Sequence, residues 1–198
     1  MSAVVLATHS AHKVREFQQL VDSEGAGIEV LAYDGPSPVE DGTSFAANAL
    51  IKARTAAAHS GRLSLADDSG LSVDVLGGAP GIFSARWAGH GRGDVANRLL
   101  LLDQLADMAD EHRAATFFCT IAMVDPTSGT ERVVEGRWPG RLLHEERGEG
   151  GFGYDPIFLP EGQTRSAAEL APEEKNALSH RARAFALALP VLRELTGA

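Results

Sequence analysis

Residues 4–21 read VVLATHSAHKVREFQQLV, and the spacing of their apolar residues changes halfway along the stretch. The β-branched run at residues 3–7 predicts a short buried strand that ends in small polar residues. From Val14 to Val21, apolar residues recur every three or four positions, which is the spacing of one helix face. The stretch therefore predicts a strand, a turn and a helix in that order, which is the repeating unit of an α/β fold.

The alternation of strand and helix continues through the first half of the chain. Residues 28–32 predict a second strand, and the alanine-rich stretch SFAANALIKARTAAAHSG, which begins at Ser44, predicts a long helix. Ser44 or Thr43 is the expected N-cap of this helix, and Gly61 lies beyond its end. Residues 63–66 form a third apolar run, which leads into two adjacent aspartates.

The second half of the chain predicts a different order of elements. Residues 94–108 predict a leucine-rich helix, and residues 114–124 and 131–138 predict two strands joined by the turn sequence DPTSGT. The last helix is expected over residues 172–196, with a bend at Pro190. Because strands first alternate with helices and then form a hairpin, we expect an α/β fold with a mixed β-sheet and flanking helices.

The composition limits the kinds of partner. Of the 198 residues, 44% are hydrophobic and 23% are charged, which is typical of a globular domain and not of a disordered chain. The net charge of −9 predicts no binding to nucleic acid or to an anionic membrane surface. The lone Cys119 cannot form an intramolecular disulfide, and no basic segment precedes the first apolar run, so we expect a cytoplasmic protein.

The sequence LADDSGL at residues 65–71 carries the strongest signal for chemistry. It is expected to place Asp67 and Asp68 at the end of a strand, where adjacent side chains point to opposite faces, so that one of the two acts in the site. A carboxylate there can hold Mg²⁺ or take a proton from water, and Ser69 and Gly70 offer a hydroxyl and backbone N–H groups. A turn in which an aspartate side chain caps the strand explains the same residues equally well.

A glycine-rich loop lies at residues 148–153. Its glycines have the spacing of a dinucleotide-binding loop, but that motif opens a helix, and here an apolar strand is expected to follow. The loop backbone can instead approach a flat ligand, with Phe152 or Tyr154 stacking on it. The alternative is a flexible loop beside two aromatic residues of the core.

Two further groups of polar residues are candidates for substrate binding. Thr8, Ser10 and Lys13 lie at a strand-to-helix turn and offer hydroxyls, free N–H groups and one cation to a phosphate, although the sequence contains no P-loop motif. The second group is basic, and its spacing within the last helix gives only a loosely shared face, which is equally typical of solvated surface charges. Its members are Lys175, His180 and Arg181.

Five blocks of this sequence occur together in one known family. They are VVLATHSAHKVREF from residue 4, SFAANALIKAR from residue 44, LADDSGLSVDVLGGAPGIFSARWAG from residue 65, GGFGYDPIF from residue 150 and AELAPEEKNALSHRARA from residue 168. Together they span nearly the whole chain, and the combination of ADDSGL, GGAPG and GGFGYDP is highly specific. The chain thereby resembles the inosine triphosphate pyrophosphatases, which hydrolyse ITP, dITP and XTP to the monophosphate and pyrophosphate and so cleanse the nucleotide pool.

The resemblance implies an elongated mixed α/β fold of two lobes with a central nucleotide cleft. It implies that residues 1–198 form a single pyrophosphatase domain whose lobes are not independent. It also implies a Mg²⁺ cofactor and a homodimer.

The resemblance further implies roles for individual residues. It implies that Glu40 and Asp68 hold Mg²⁺ and that Asp68 is the general base. Either Asp68 or its metal-bound water would deliver hydroxide to the α-phosphorus. The residues implied to contact the triphosphate, the base or the sugar are Thr8, His9, Ser10, Ala11, His12, Lys13, Ser69, Phe152, Gly153, Tyr154, Asp155, Lys175, His180 and Arg181.

Two sites in the sequence depart from the pattern that is common in this family. His9 and Ser10 stand where Gly-Asn is common, which removes an amide from the phosphate turn. Ala47 stands where Glu is common, which removes a carboxylate that could help to hold the metal.

Three other functional classes stay open at this point. A related pyrophosphatase with a different base preference would differ mainly around Phe152, His180 and Arg181, and substrate profiling separates it. A nucleotide sensor would bind the same ligands without releasing pyrophosphate. A structural dimerisation domain would need neither Asp68 nor Lys13, and nucleotides would not stabilise it against heat.

Overall fold

The computed structural model describes residues 2–197 of the chain, apart from the side chain of His12. The elements alternate as the sequence predicts in the first half of the chain, and a hairpin follows. The strands are β1 (Ser2–Leu6), β2 (Ile28–Ala32), β3 (Ser64–Val73), β4 (Ala114–Asp125), β5 (Thr130–Leu142) and β6 (Phe158–Pro160). The helices are α1 (Ala11–Ser23), α2 (Phe45–Ser60), α3 (Gly93–Gln104), α4 (Pro172–Leu178) and α5 (His180–Thr196).

The strands form one mixed sheet in the order β2-β1-β3-β4-β5-β6. β1 is parallel to β2, with Val4 opposite Val30, and parallel to β3, with Val5 opposite Ser64. β5 and β6 are antiparallel, with Arg141 opposite Leu159. The prediction of a mixed α/β fold with flanking helices is therefore confirmed. Within residues 2–197, no helix has the length and apolar character that crossing a bilayer requires.

The chain divides into two compact units. The first contains residues up to Asp68, residues 120–135 and residues from Ala184 onward. The second contains residues 69–119 and 136–183. Strands β3, β4 and β5 each contribute residues to both units.

Helix α2 is the central helix of the first unit, and its sequence explains its position. Ser44 caps its N-terminus by accepting a hydrogen bond from the Ala47 N–H at 3.1 Å, and Gly61 ends it in the left-handed conformation. Both predicted caps are thus confirmed. Small side chains on one face of α2 let the helix pack closely on the sheet. The buried residues that form this contact between α2 and the sheet are Ala49, Ala53, Ala57, Ala66, Ala122 and Val124.

The second unit has a larger core that contains several aromatic residues. Leu101 and Leu105, from the leucine-rich segment at α3, are buried in it. The Phe117 ring packs edge to face on Phe158, with ring centroids 4.7 Å apart. α3 ends at Gln104 and not at residue 108, and the N–H of its C-cap residue Leu105 is shared among the carbonyls of Leu101, Leu102 and Asp103.

Strand β3 corrects the expectation that Asp67 and Asp68 lie at the end of a strand. The strand continues from Ser64 to Val73 and includes both aspartates. β3 lies between β1 and β4 in the sheet. β1 is paired with β3 at Ser64 and Leu65, before the two aspartates. Incorporation of the whole segment into the sheet therefore overrides the low strand propensity of the sequence DDSG.

The final helix also differs from expectation, because it is broken and Pro190 is not where it breaks. α4 ends at Leu178, and Ser179 adopts an extended conformation before α5 begins at His180. Ser179 then caps α5, since its Oγ accepts a hydrogen bond from the Ala182 N–H at 3.3 Å. Pro190 lies inside α5.

Candidate active site

The turn between β1 and α1 presents the N-terminus of a helix. Ser10 is the N-cap of α1, and its Oγ accepts a hydrogen bond from the Lys13 N–H at 3.3 Å. Thr8 Oγ1 accepts a hydrogen bond from the Ser10 N–H at 3.2 Å. The N–H groups in the first turn of a helix lack partners within the helix and attract anions. Serine and asparagine cap helices about equally well, so Ser10 preserves the capping role that Asn would have here.

His9 connects this turn to the loop that follows β2. Its Nε2 lies 2.9 Å from the carbonyl oxygen of Gly35, and its ring packs against Tyr33 with centroids 5.6 Å apart. The Tyr33 hydroxyl donates a hydrogen bond to the Pro36 carbonyl at 2.9 Å. A side chain at Gly35 would overlap the Tyr33 ring. The histidine that departs from the family pattern therefore has a structural role beside the phosphate turn.

Lys52 of α2 bridges two carboxylates. Its Nζ lies 3.1 Å from Asp68 Oδ1 and 3.4 Å from Glu40 Oε2. The side chains of Lys52 and Asp68 are 16% and 15% exposed, so this ion pair is well shielded from water. The two carboxylates predicted to hold the metal are thus brought to one cation.

Lys52 is not among the site residues predicted from the sequence. A signal for it does exist, because Asn48 and Lys52 are four residues apart and share one face of a helix that is otherwise rich in alanine. Two polar residues on a helix face that packs on a sheet require polar partners. Those partners are supplied by Glu40 and Asp68.

Asn48 holds the Asp68 carboxylate and the loop before α2. The asparagine is buried, and its Oδ1 accepts a hydrogen bond from the Gly42 N–H at 2.9 Å. Its side chain is also hydrogen bonded to Asp68. Burial raises the pKa of Asp68 above the ordinary aspartate value, and the Glu40 charge acts in the same direction, while Lys52 and Asn48 oppose the shift.

Asp67 and Asp68 pair with different lysines. Lys13 Nζ lies 3.5 Å from Asp67 Oδ1, whereas Lys52 is the partner of Asp68. The Lys13 side chain is 46% exposed, so the pair with Asp67 is weaker and more accessible to solvent. This arrangement follows from the alternation of side chains along a strand.

A cavity of about 230 Å³ in the first unit has Asp67, but not Asp68, among its lining residues. It lies at the phosphate turn and reaches both lysines and the Glu40 carboxylate. The polar residues that line it are Thr8, His9, Lys13, Ser37, Glu40, Lys52 and Asp67. Hydroxyls, two ammonium groups and carboxylates around one cavity suit a phosphorylated ligand accompanied by a hard cation.

The carboxylates of Glu40 and Asp68 have the chemistry of a divalent-metal site. Among the described side chains, no three or more His, Cys, Asp or Glu residues are grouped to hold a metal. Mg²⁺ is commonly bound by one or two carboxylates together with substrate phosphates and water. Glu40 and Asp68, which converge on the Lys52 cation, supply that kind of donor set.

The second unit contains a separate cluster around an exposed aromatic ring. Phe152 is 57% exposed. Lys175 Nζ lies 4.6 Å from the centroid of its ring, and the Arg181 guanidinium carbon lies 5.1 Å from it. The break at Ser179 places Lys175 on α4 and Arg181 in the first turn of α5. The structure thus brings together two cations that the sequence spacing left only loosely related.

Asp155 bonds two members of this cluster, Lys175 and the Phe152 backbone. It is buried, and its Oδ2 pairs with Lys175 Nζ at 2.5 Å and accepts a hydrogen bond from the Phe152 N–H at 2.7 Å. Gly151 has φ +72°, and a side chain there would overlap the Asp155 carboxylate. The glycine is therefore required by both its backbone conformation and the close approach of Asp155.

Tyr154 and His180 lie inside the core. The Tyr154 hydroxyl donates a hydrogen bond to the Ser84 carbonyl at 2.7 Å, and burial raises its pKa. The His180 ring is stacked on Phe117, with centroids 4.9 Å apart and planes 10° apart. Of the two aromatics considered for stacking on a flat ligand, Phe152 is exposed and Tyr154 is buried.

The remaining predicted contacts are distributed over both units. Thr8 through Lys13 lie in the first unit, where the side chain of His12 is outside the described residues. Ser69 lies in the second unit, and its Oγ is buried without a hydrogen-bond partner among the residues that the structure describes. Gly153 has φ +58° and follows Phe152 in the loop.

Proteins with similar sequences and proteins with similar structures point to the same family. A dITP/XTP pyrophosphatase of Leifsonia xyli is 60% identical over 196 residues, which cover 99% of this chain and 98% of the relative. A dITP/XTP pyrophosphatase of Streptomyces coelicolor is 53% identical over the whole of both chains.

Solved structures give the same result. A HAM1 protein from Coxiella burnetii is 40% identical with a TM-score of 0.91, covering 98% of this chain and all of that one. A nucleoside-triphosphatase / dITP/XTP pyrophosphatase from Mycobacterium abscessus is 47% identical with a TM-score of 0.82, covering 95% and 99%. The model of the Ham1 family matches residues 4–191. The resemblance seen in the sequence blocks is confirmed, and the chain belongs to the Ham1 family.

Proposed function

We propose that this chain hydrolyses the non-canonical purine nucleoside triphosphates ITP, dITP and XTP to the monophosphate and pyrophosphate. The observation that carries the proposal is the cavity beside α1, where the phosphate turn, Lys13, Lys52 and Glu40 meet. The full-length relatives named dITP/XTP pyrophosphatase support the choice of substrate.

The carboxylates of Glu40 and Asp68 hold the metal in this proposal. Mg²⁺, when bound there, neutralises charge on the phosphate oxygens and lowers the pKa of water. Lys52 already lies between the two carboxylates and offsets their charge, so it also limits their mutual repulsion.

Asp68 acts as the general base that takes a proton from the attacking water. Burial raises its pKa, which makes the carboxylate a better proton acceptor than an exposed aspartate. Asn48 and Lys52 hold the carboxylate in place. The water oxygen forms a bond to the α-phosphorus, and the bond between that phosphorus and the bridging oxygen of pyrophosphate breaks.

The phosphate turn and its lysine bind the leaving group. The N–H groups of the first turn of α1 and the Lys13 ammonium offer positive charge to the β- and γ-phosphates. The net charge of −9 repels an anionic substrate at long range, which makes this local cationic site necessary.

The cluster in the second unit binds the base and sugar. Phe152 offers an exposed face for stacking on a purine, and Lys175 and Arg181 offer donors to its O6. Ser69, Gly153, Tyr154, Asp155 and His180 complete the proposed contacts, with Asp155 acting through Lys175 and the Phe152 backbone.

We propose further that the chain works as a single domain, as a homodimer and in the cytoplasm, without binding nucleic acid or membranes. The negative net charge supports the last two exclusions, and the single cysteine is compatible with a reducing compartment. Val95 and Leu99, one turn apart on α3, are 57% and 54% exposed and offer an apolar strip to a second subunit.

The activity is tested by a panel of ITP, dITP, XTP, GTP and ATP with and without Mg²⁺. We expect pyrophosphate and the monophosphate from the first three substrates when Mg²⁺ is present, and loss of nearly all turnover when EDTA removes it. Inorganic phosphate together with a nucleoside diphosphate would contradict the proposal, because attack would then be at the γ-phosphorus. Heat stabilisation by ITP without turnover would identify a sensor instead.

A further inference from the structure

Both backbone groups of Gly153 are bonded to side chains of α3. The Gly153 N–H donates to Asp94 Oδ2 at 2.9 Å, and Arg98 Nη1 donates to the Gly153 carbonyl at 2.9 Å. Asp94 and Arg98 are four residues apart, so they project from the same face of the helix. Both side chains therefore bond to one glycine of the loop.

Arg98 also bonds Glu146, which lies two residues before the loop. Its Nε donates to Glu146 Oε1 at 2.8 Å, and its side chain is only 12% exposed. One guanidinium therefore contacts Glu146 before the loop and Gly153 near its end. The planar arrangement of donors in arginine permits both bonds at once, whereas lysine has no such fork.

The residue fixed by these contacts is Phe152. Its N–H donates a hydrogen bond to Asp155 Oδ2, and its carbonyl accepts one from the Asp155 N–H at 3.2 Å. The next residue, Gly153, is bonded to side chains of α3. The backbone on both sides of the ring is thus bonded, while the ring itself is exposed. The remaining freedom of the ring is rotation about its two side-chain torsions.

The loop would otherwise be costly to order. Four of the six residues from 148 to 153 are glycine, and glycine loses more backbone entropy on ordering than any other residue. A ligand that stacks on a disordered platform must supply that ordering free energy from its own binding. Fixing the loop in advance removes this cost.

We propose that Asp94 and Arg98 are positioning residues for base recognition, which fix Gly153 and thereby hold Phe152 ready to stack on the purine. This inference rests on the proposed function, since Phe152 is its point of contact with the substrate. It assigns to α3 a part in substrate affinity that is exerted through the Gly153 backbone.

The first experiment compares Arg98→Ala and Asp94→Ala with the unchanged protein. KM for ITP is expected to rise about tenfold while kcat stays within about twofold, because the platform and not the reacting group is disturbed. Asp94→Asn keeps an acceptor oxygen and is expected to retain most of the affinity. Asp103→Ala, an exposed acid on the same helix, is the matched control and should leave KM unchanged.

Inorganic tripolyphosphate separates this inference from the proposed function. It lacks a base, so its inhibition constant should be the same in wild type, Arg98→Ala and Asp94→Ala. Tripolyphosphate that does not compete with ITP in the wild type would contradict the proposed phosphate site. If the inhibition constant for tripolyphosphate rises in the variants together with the KM for ITP, the inference is overturned. The α3 residues would then affect the phosphate site as well as the site for the base.

A double-mutant cycle with Phe152→Leu tests whether the increase in KM depends on Phe152. If Asp94 acts through Phe152, Asp94→Ala should raise KM about tenfold in the wild type and less than about twofold in Phe152→Leu. Equal increases in both backgrounds would overturn the proposal. A lower melting temperature with an unchanged KM would also overturn it, since it would show a purely structural role. Asp94 is exposed, so its variants keep the test available if Arg98→Ala fails to fold.

Discussion

Asp68→Asn is expected to lower kcat for ITP by about 10²-fold or more, because it removes a general base and a metal ligand together. The neighbouring Asp67→Asn is expected to cost much less. Asp68 is shielded and held by Lys52, whereas Asp67 pairs with the half-exposed Lys13 at 3.5 Å. Initial rates at saturating ITP and Mg²⁺ measure the difference.

The two asparagine variants are matched controls for one another, since both remove one negative charge from adjacent positions of β3. Melting temperatures of both variants show whether they are folded. Mild and equal losses would favour the alternative in which the aspartates serve only the local structure, and the assignment of Asp68 as the base would be wrong.

ITP is expected to be preferred over ATP by about 10² in kcat/KM, and Arg181→Ala should reduce that preference to about tenfold. Hypoxanthine offers O6 as an acceptor, whereas adenine has an amino group there, so a donor that the bound base covers loses its partner. Each unpaired buried group costs about 1 to 3 kcal/mol. Arg181 is the better candidate than His180, whose ring is buried against Phe117.

The preference is measured as the ratio of kcat/KM for the two nucleotides. Arg183→Ala is the matched control, because Arg183 lies on the same helix and bonds the Arg137 carbonyl. If Arg181→Ala slows ITP turnover but leaves the ratio of ITP to ATP unchanged, Arg181 binds phosphate or stabilises the structure, and its role in base selection is refuted.

Local sequence signals predicted the parts of the fold that depend on local interactions. The period of apolar residues predicted β1 and α1, and cap residues at both ends predicted the extent of α2. Where pairing with neighbouring strands decides the outcome, the local signal failed. The polar sequence of Asp67 and Asp68 predicts a turn, yet both lie within β3, which is hydrogen bonded into the sheet.

The site was predicted only in part, because sequence spacing reveals only interactions between residues that are close in the chain. The phosphate turn depends on residues close in sequence, so Thr8, Ser10 and Lys13 could be found from spacing. Lys52 could not be placed with its partners in this way, since Glu40 and Asp68 lie 12 and 16 residues away. The pair of Lys175 with Asp155 spans 20 residues. Such contacts depend on the packing of helices on the sheet.

Hydrolysis of ITP in water labelled with heavy oxygen tests the central claim most directly. The claim is that water activated by Asp68 attacks the α-phosphorus while the phosphate turn and Lys13 hold the departing pyrophosphate. Mass spectrometry of the products from a single turnover shows which phosphorus was attacked. We predict that the label is found in the inosine monophosphate and that the pyrophosphate is unlabelled. Label in the pyrophosphate would contradict the account, because water would then have attacked the β-phosphorus.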